Sequence, residues 1–320
     1  MIISASRRTD IPAFYSEWFM NRIRAEYCTV PNPFNRKQVS YVSLCPKDVQ
    51  VVVFWTRNPK PIFPYLEELD HREHQYYFQF TVMDNPRPLD VKTPSLTSAL
   101  RTFQSLSDIV GPDRVIWRYD PIVFSNVTGA HFHIETYKRI AKVLKGYTHR
   151  SVVSILDTYS KARKRLRDLK NQGIEIVDYK GKPSPRFELL MNTLANVAKD
   201  NKMEIMSCAE TISLSPYGIS PGKCIDDKYI EKVFNIQATS KKDPYQRKEC
   251  GCVQSKDIGV YDTCLFECQY CYATRSFKRA KINYDSHNVN SPSLIGWYDC
   301  DVEKRVYQMK LQTEDKDENS

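Results

Sequence analysis

Asp262-Thr-Cys-Leu-Phe-Glu-Cys-Gln-Tyr-Cys-Tyr-Ala-Thr274 is the stretch of this 320-residue chain that decides which fold to expect. It spaces Cys264, Cys268 and Cys271 by three and two intervening residues. Random placement of cysteines would produce this spacing about 0.01 times per chain. Thiolate sulfur is the ligand of iron-sulfur clusters and structural zinc. Because three thiolates leave one iron of a four-iron cluster open, the stretch predicts a reactive metal site rather than a structural one.

The composition is that of a soluble globular protein, with 41% hydrophobic and 27% charged residues. No apolar run approaches the roughly 18 to 20 residues of a membrane span. The N-terminus, Met-Ile-Ile-Ser-Ala-Ser, lacks the basic and apolar regions of a signal peptide. We therefore expect a cytoplasmic protein without a membrane partner, in which closely spaced cysteines indicate metal binding before disulfides.

Short β-rich runs alternate with stretches of helical period, which is the pattern of repeated βα units on a parallel sheet. The predicted strands are residues 2–6, 51–55, 76–82, 115–118, 152–156 and 203–207. A further short strand should lead into Cys264. Helical periods run through residues 96–106 and 187–197. The expected fold class is therefore α/β, with a partial or full parallel barrel of the TIM type.

Polar side chains follow several predicted strands. All strands of a parallel barrel finish on one face, and active sites lie on that face. Strand ends also carry polar residues for structural reasons alone, so the pattern gives candidates only. The candidate substrate-pocket residues are Arg118, Asp120, Asp157 and Glu210.

Four further cysteines, Cys208, Cys224, Cys250 and Cys252, precede the main motif. Four thiolates are enough for an auxiliary [4Fe-4S] cluster or a tetrahedral zinc site. They are also explained as small buried core residues. Between the two metals, a second iron-sulfur cluster is favoured, because the chain already needs cluster assembly.

The net charge is +9, and residues 161–170 form a basic run, Lys161-Ala-Arg-Lys-Arg-Leu-Arg-Asp-Leu-Lys170. Such a run can bind phosphates, which makes nucleic acid one candidate partner, but it equally suits the solvated face of an amphipathic helix.

His131 and His133 have chelating spacing without a third ligand nearby. We interpret these histidines as structural.

The cysteine spacing, with an aromatic residue before the third cysteine, resembles the signature of radical S-adenosylmethionine (SAM) enzymes. The segment Cys268-Gln-Tyr-Cys-Tyr-Ala273 looks most like the branch that contains spore photoproduct lyase. The resemblance implies that Cys264, Cys268 and Cys271 hold a [4Fe-4S] cluster whose fourth iron chelates SAM, with Tyr270 near the adenine. It also implies a reductant such as flavodoxin or ferredoxin, and a 5′-deoxyadenosyl radical that removes hydrogen from an unknown substrate.

In that superfamily the cluster loop usually follows the first strand, whereas here it follows the last. A barrel is a closed ring, so its first βα unit can lie at the end of the chain if the termini are close. We therefore predict a circularly permuted radical SAM barrel, with residues 272–280 as its first helix and residues 2–6 as its second strand. The strand that enters Cys264 should then lie beside residues 2–6.

The superfamily's glycine-rich motif after the second strand is replaced here by Ser4-Ala-Ser-Arg-Arg-Thr-Asp10. An ammonium needs acceptors and a carboxylate needs donors. The candidate SAM-binding residues are therefore Ser4, Ser6, Asp10 and Tyr270, with Arg7 or Arg8 as the donor to the carboxylate.

Residues 4–12, together with Phe54-Trp-Thr-Arg-Asn-Pro59 and Trp117-Arg-Tyr-Asp-Pro121, resemble the bacterial family known as domain of unknown function 1848, from the first residues to about Gly296. This resemblance implies a SAM-type cluster protein and no particular substrate.

The alternatives are a radical SAM enzyme that modifies or repairs nucleic acid, and a non-catalytic iron-sulfur or zinc protein. The predicted organisation is a main barrel part (1–210), a cysteine-containing loop region (211–260), the cluster loop with the first βα unit (261–296) and a tail (297–320) with a disordered end.

Overall fold

The computed structural model describes residues 1–33, 35–157, 159–177 and 184–298, so the predicted tail lies outside the described residues from residue 299 onward. Ten strands are present in this part of the chain. They are β1 (Ile2–Ala5), β2 (Tyr27–Pro31), β3 (Val39–Ser43), β4 (Val51–Thr56), β5 (Tyr76–Thr81), β6 (Val115–Ile122), β7 (Arg150–Ile155), β8 (Glu204–Cys208), β9 (Ser220–Gly222) and β10 (Lys256–Asp257).

The α-helices separate most of these strands. They are α1 (Ile11–Phe14), α2 (Ser16–Arg24), α3 (Leu66–His71), α4 (Leu96–Val110), α5 (Ala130–Leu144), α6 (Arg163–Asn171), α7 (Pro185–Asp200), α8 (Asp227–Phe234) and α9 (Phe277–Asp285). Helix α4 begins where the Ser95 hydroxyl accepts a hydrogen bond from the Ser98 N–H. The helical periods predicted over residues 96–106 and 187–197 are confirmed as parts of α4 and α7. Among the described helices, none combines the length and apolarity that crossing a membrane requires.

Eight strands form one sheet in the order β10-β1-β4-β5-β6-β7-β8-β9, and every neighbouring pair is parallel. The predicted α/β class and all six predicted strands are therefore confirmed. In the described residues, β9 and β10 are the two edges of this sheet and form no ladder with each other. Three strands were not predicted: β9 and the separate antiparallel pair β2-β3.

Side chains of the sheet alternate between two different environments, as the two-residue period of a strand requires. Phe54, Phe78 and Trp117 join the large core that includes the helices. Val53, Tyr77 and the rest of the opposite face pack instead against the segment that carries Cys224, Cys250 and Cys252. Burial on both faces explains why the strands are apolar runs with little polar alternation.

Strand β1 lies between β4 and β10, with Ile3 opposite Lys256 and Ser4 opposite Asp257. The strand that leads toward Cys264 was predicted to lie beside residues 2–6, and this prediction is confirmed. The N-terminal strand and the cysteine motif are therefore neighbours in space although about 250 residues separate them in the chain.

The helix expected at residues 272–280 starts later than predicted, because α9 begins at Phe277. Asp262 Oδ1 accepts hydrogen bonds from the N–H groups of Arg275 and Ser276, which holds the preceding residues in a turn. The Ser276 hydroxyl then caps the helix by accepting from the Arg279 N–H, 3.2 Å away.

His133 is a fully buried structural residue, as the sequence predicted. Its Nδ1 lies 2.8 Å from the Tyr119 hydroxyl and its Nε2 lies 3.1 Å from the Val123 carbonyl oxygen. Burial lowers the pKa of His133 to about 4, although its backbone partners oppose the shift. The imidazole is therefore neutral in the folded protein at neutral pH.

The substitution His133→Gln should reduce the pH dependence of the free energy of unfolding. The unfolded chain takes up a proton near pH 6.5, whereas folded His133 does so only near pH 4. The contribution of neutral His133 to the free energy of unfolding is thus fully present above pH 6.5. It is lost as the pH falls toward 4, at up to about 1.4 kcal/mol per pH unit. Urea unfolding of His133→Gln should show a shallower slope in this window than the wild type does. The exposed His131 gives the control, because His131→Gln should keep the wild-type slope; equal slopes for both variants would contradict the assignment.

Candidate functional site

A cavity of about 460 Å³ opens at the carboxyl ends of the parallel strands, where α/β proteins bind ligands. Segments that follow β1, β4, β6, β7 and β8 contribute to its wall. Seven free cysteines line it: Cys208, Cys224, Cys250, Cys252, Cys264, Cys268 and Cys271. They form two sets, the three-cysteine loop (residues 264–271) and the four-cysteine group (Cys208, Cys224, Cys250 and Cys252).

Arg165 of α6 holds the three-cysteine loop in place. Its guanidinium donates to the carbonyl oxygens of Gln269 (2.8 Å), Cys271 (2.6 Å) and Arg275 (3.1 Å). The side chain is buried, so the basic run is not a uniform solvated surface. Arg165 therefore faces the cysteine motif and is not available to a partner at the surface.

A second arginine, Arg57, lies on the other side of the loop in a buried polar network. Its Nη2 donates to the Tyr270 hydroxyl at 2.7 Å, and its Nη1 lies 3.2 Å from Asp90 Oδ2. The Tyr270 hydroxyl donates to Asp90 Oδ1 at 2.7 Å. The Tyr270 hydroxyl is thus hydrogen-bonded to Arg57 and Asp90. Tyr270, a predicted cofactor-binding residue, nevertheless lines the cavity.

Burial and nearby charges together set the pKa values of the thiols of the loop. Burial raises the pKa of Cys268 well above its ordinary value, while the Arg57 guanidinium lowers it. Burial also raises the pKa of Cys264, and Asp10 and Cys271 raise it further. Without further positive charge, these thiols are therefore protonated at neutral pH.

Asp257 organises the segment after β1. Its carboxylate accepts hydrogen bonds from the hydroxyls of Ser4 (2.9 Å) and Ser6 (2.7 Å) and from the Arg7 N–H (2.9 Å). It also accepts from the Gly259 N–H at 3.0 Å. A side chain at position 259 would collide with Ser6 Oγ, so the close approach of these two segments requires glycine there.

The predicted SAM-binding residues separate into two sets. Ser6 and Asp10 line the cavity, whereas Ser4 does not, and its hydroxyl is used by Asp257. Asp10 accepts from the N–H groups of Arg57 (2.6 Å) and Ala13 (3.0 Å). Burial raises the pKa of Asp10 to about 7, while those two hydrogen bonds lower it.

The Arg7 guanidinium lies over the Trp55 ring, 5.2 Å from its centroid, and beside Cys252. Burial lowers the pKa of Arg7, but the nearby charges of Cys252 and Asp257 outweigh it and raise the pKa overall. Arg7 therefore belongs to the surroundings of the four-cysteine group more than to those of the three-cysteine loop.

The four-cysteine group is brought together by the fold. Cys208 Sγ and Cys224 Sγ lie 2.9 Å apart, and the Ile225 N–H donates to Cys252 Sγ at 3.4 Å. Interaction with the neighbouring Cys224 and Cys250 lowers the pKa of Cys252 against the effect of burial, and Arg7 lowers it further. In the part of the chain that the structure describes, no group of three or more His, Cys, Asp or Glu side chains has the arrangement of a metal-ion site.

Three of the four predicted pocket residues line the cavity: Arg118, Asp120 and Asp157. Arg118 is buried, and its Nη1 donates to Cys224 Sγ at 2.9 Å while its Nε donates to Asp120 Oδ2 at 3.1 Å. Asp157 pairs with Arg247. Glu210 is not among the lining residues, and its carboxylate accepts from the Ile155 N–H at 2.8 Å.

Glu210 lies close to Asp157 and Asp120, two acidic residues of the cavity lining. Burial raises the pKa of Glu210 to about 8, and the charges of Asp157, Asp120 and Cys208 contribute to the shift, while the Ile155 N–H opposes it. Glu210 is therefore largely protonated at neutral pH.

A family model described as a domain of unknown function, DUF1848, matches residues 2–273 of the chain. The chain belongs to this family. The DUF1848 match ends at Ala273, earlier than the expected limit near Gly296, and it includes both cysteine sets. The search of curated proteins found no match, and neither did the search of solved structures.

Sequence reasoning missed several residues that organise the site of this DUF1848 protein. Asp257 and Asp90 act through contacts that are distant in sequence, so no local pattern marks them. The sequence did contain a signal that Arg165 is buried. The apolar residues Ala162 and Leu169 stand three residues before it and four after it, and both are buried. A helix brings such positions onto one face.

Replacing Arg165 by methionine should loosen the three-cysteine loop. The change removes charged donors from several carbonyl oxygens, and hydrogen bonds to a charged group contribute about 1.5 to 3 kcal/mol. We expect the free energy of unfolding to fall by about 2 to 3 kcal/mol, with faster amide hydrogen exchange in residues 264–276. The matched control is Arg167→Met, because Arg167 is exposed on the same helix. Equal exchange rates in the two variants would show that Arg165 does not hold the loop.

Proposed function

We propose that the protein is a radical SAM enzyme in which Cys264, Cys268 and Cys271 hold a [4Fe-4S] cluster. The observation that carries the proposal is that these three thiols, at the spacing typical of such enzymes, line a cavity at the carboxyl edge of a parallel sheet. When bound, the cluster would supply the electron that breaks a carbon-sulfur bond of SAM. The protein's own residues position the reactants and set the local charge.

The donor set and its surroundings fit a thiolate-ligated cluster. Three thiolates leave one iron without a protein ligand, and the adjoining cavity gives a second molecule access to that position. Burial disfavours thiolate charge, so deprotonation of Cys264 and Cys268 needs compensating positive charge. Arg57 supplies one cation beside these two sulfurs, and Arg165 supplies another beside Cys271.

Several residues after β1 are suited to hold the amino-acid part of SAM. Ser6, Arg8 and Asp10 all line the cavity next to the loop. Arg8 Nη1 lies 3.3 Å from the Gly259 carbonyl oxygen, which leaves other guanidinium donors for a carboxylate. The sequence left the carboxylate contact open between Arg7 and Arg8. We assign it to Arg8, because the Arg7 guanidinium is directed to the four-cysteine group.

The strand order supports the interpretation as a permuted barrel. In such a barrel the strand before the cluster loop is the first strand and β1 is the second. The parallel ladder between β10 and β1 has this order, and β4 follows on the other side of β1.

The remaining wall of the cavity is the proposed substrate side. Arg118, Asp120 and Asp157 lie there, and Asp120 also accepts a hydrogen bond from Ser154. Fixed polar groups at the end of a cavity can orient a substrate and exclude competing reactions. Glu210 contributes indirectly, through its hydrogen bond to the backbone of β7.

Anaerobic reconstitution with iron and sulfide tests the proposal. After reduction with dithionite and addition of SAM, we expect 5′-deoxyadenosine and methionine to form, because a reduced cluster held by the three cysteines would supply the electron that splits SAM into these two fragments. Cys268→Ala should abolish the product by removing a cluster ligand. The control is Cys45→Ala, since Cys45 is outside the cavity lining. Product should form in this variant at the wild-type rate.

The competing interpretation is a non-catalytic iron-sulfur or zinc protein. It makes the opposite prediction for the same samples: metal is bound, SAM is never consumed, and SAM leaves the electron paramagnetic resonance spectrum of the reduced protein unchanged. That combination in the wild-type protein would refute the enzymatic proposal.

A further inference from the structure

The four cysteines come from two parts of the chain, which lie at the two opposite edges of the eight-stranded sheet. Cys208 ends β8 and Cys224 follows β9, at one edge. Cys250 and Cys252 precede β10, at the other edge. The thiols nevertheless come together: Cys208 Sγ and Cys224 Sγ lie 2.9 Å apart, and Cys252 Sγ accepts a hydrogen bond from the N–H of Ile225, the residue after Cys224.

Backbone contacts bring the two edges into this position. The Val253 N–H donates to the Ile225 carbonyl oxygen at 3.1 Å, and the Ile225 N–H donates to Cys252 Sγ at 3.4 Å. The Cys224 carbonyl oxygen accepts from the Tyr77 hydroxyl at 2.9 Å and from Gln79 Nε2 at 2.7 Å. The cysteine positions are thus fixed by several elements, including the middle of the sheet.

Two buried guanidinium groups accompany the four thiols. Arg118 Nη1 donates to Cys224 Sγ at 2.9 Å, and the Arg7 guanidinium lies beside Cys252. Arg7 Nη2 is buried and has no hydrogen-bond partner among the described residues. A buried donor of this kind is costly unless a partner is supplied. A metal-bound thiolate is such a partner, because its sulfur keeps lone pairs that can accept a hydrogen bond.

The local charges suit a metal centre of charge two plus. Four thiolates around such a centre leave two negative charges, which Arg7 and Arg118 would offset in part, since Arg118 also pairs with Asp120. Both Zn²⁺ and an oxidised four-iron cluster have that charge. Buried charges are tolerated when they are paired and hydrogen-bonded.

We propose that Cys208, Cys224, Cys250 and Cys252 bind one metal centre with four thiolate ligands, which joins the two edges of the sheet. The closest sulfurs are 2.9 Å apart, whereas two thiolates on a tetrahedral zinc are about 3.8 Å apart. Binding therefore replaces the thiol-to-thiol hydrogen bonds and moves the sulfurs apart. With every ligand supplied by the protein, this centre is closed, unlike the three-cysteine loop.

The test isolates this centre by removing the other one. In the variant Cys264→Ala/Cys268→Ala/Cys271→Ala, the protein should still bind metal, as one zinc or as about four irons with inorganic sulfide. Adding Cys250→Ala and Cys252→Ala should remove that metal, whereas adding Cys45→Ala should not. Metal and sulfide analysis distinguishes zinc from a cluster, and neither measurement depends on activity with SAM.

Stability and thiol reactivity provide the second readout. In the triple variant, chelation should lower Tm and expose four additional thiols to alkylation, because the metal protects them and ties the edges together. This readout does not require the quintuple variant to fold. A folded triple variant that binds neither zinc nor iron, or whose mass is lower by two hydrogens because Cys208 and Cys224 form a disulfide, would overturn the proposal.

Discussion

The Asp257 carboxylate is the interaction on which the rest of the structure depends. It accepts four hydrogen bonds, from the hydroxyls of Ser4 and Ser6 and from the N–H groups of Arg7 and Gly259. A carboxylate has about four acceptor positions, so its capacity is filled. These bonds fix the segment after β1 against the chain that leads to the cysteine motif. The cavity exists because this junction brings the two segments together at the carboxyl edge of the sheet.

Each cysteine set is accompanied by two arginines. Arg57 and Arg165 lie beside the three-cysteine loop, and Arg7 and Arg118 lie beside the four-cysteine group. Burial raises the pKa of a thiol unless positive charge is near. The same arrangement therefore serves both sets, and it explains why Arg118 lies within the otherwise largely apolar strand β6.

The sequence was informative where the structure depends on local pattern. Strands and long helices followed from apolar periodicity, and the position of β1 beside the motif followed from ring order. The pair β2-β3 was missed because it is short, half-exposed and separate from the main sheet. Side-chain direction could not be predicted either: Ser4 and Arg7 were expected at a cofactor, but their partners are Asp257 and Cys252, which only tertiary structure brings near.

The position of β10 has a consequence for synthesis of the chain on the ribosome. Because translation proceeds from the N-terminus, β1 is made before β4 and can pair with it early, but its other edge stays unpaired until β10 emerges. An unpaired strand edge is a site of aggregation. Both cysteine sets are likewise completed only by the segment around β10. The nascent β1 edge thus needs protection until one stretch of chain completes both the sheet and the two cysteine sets.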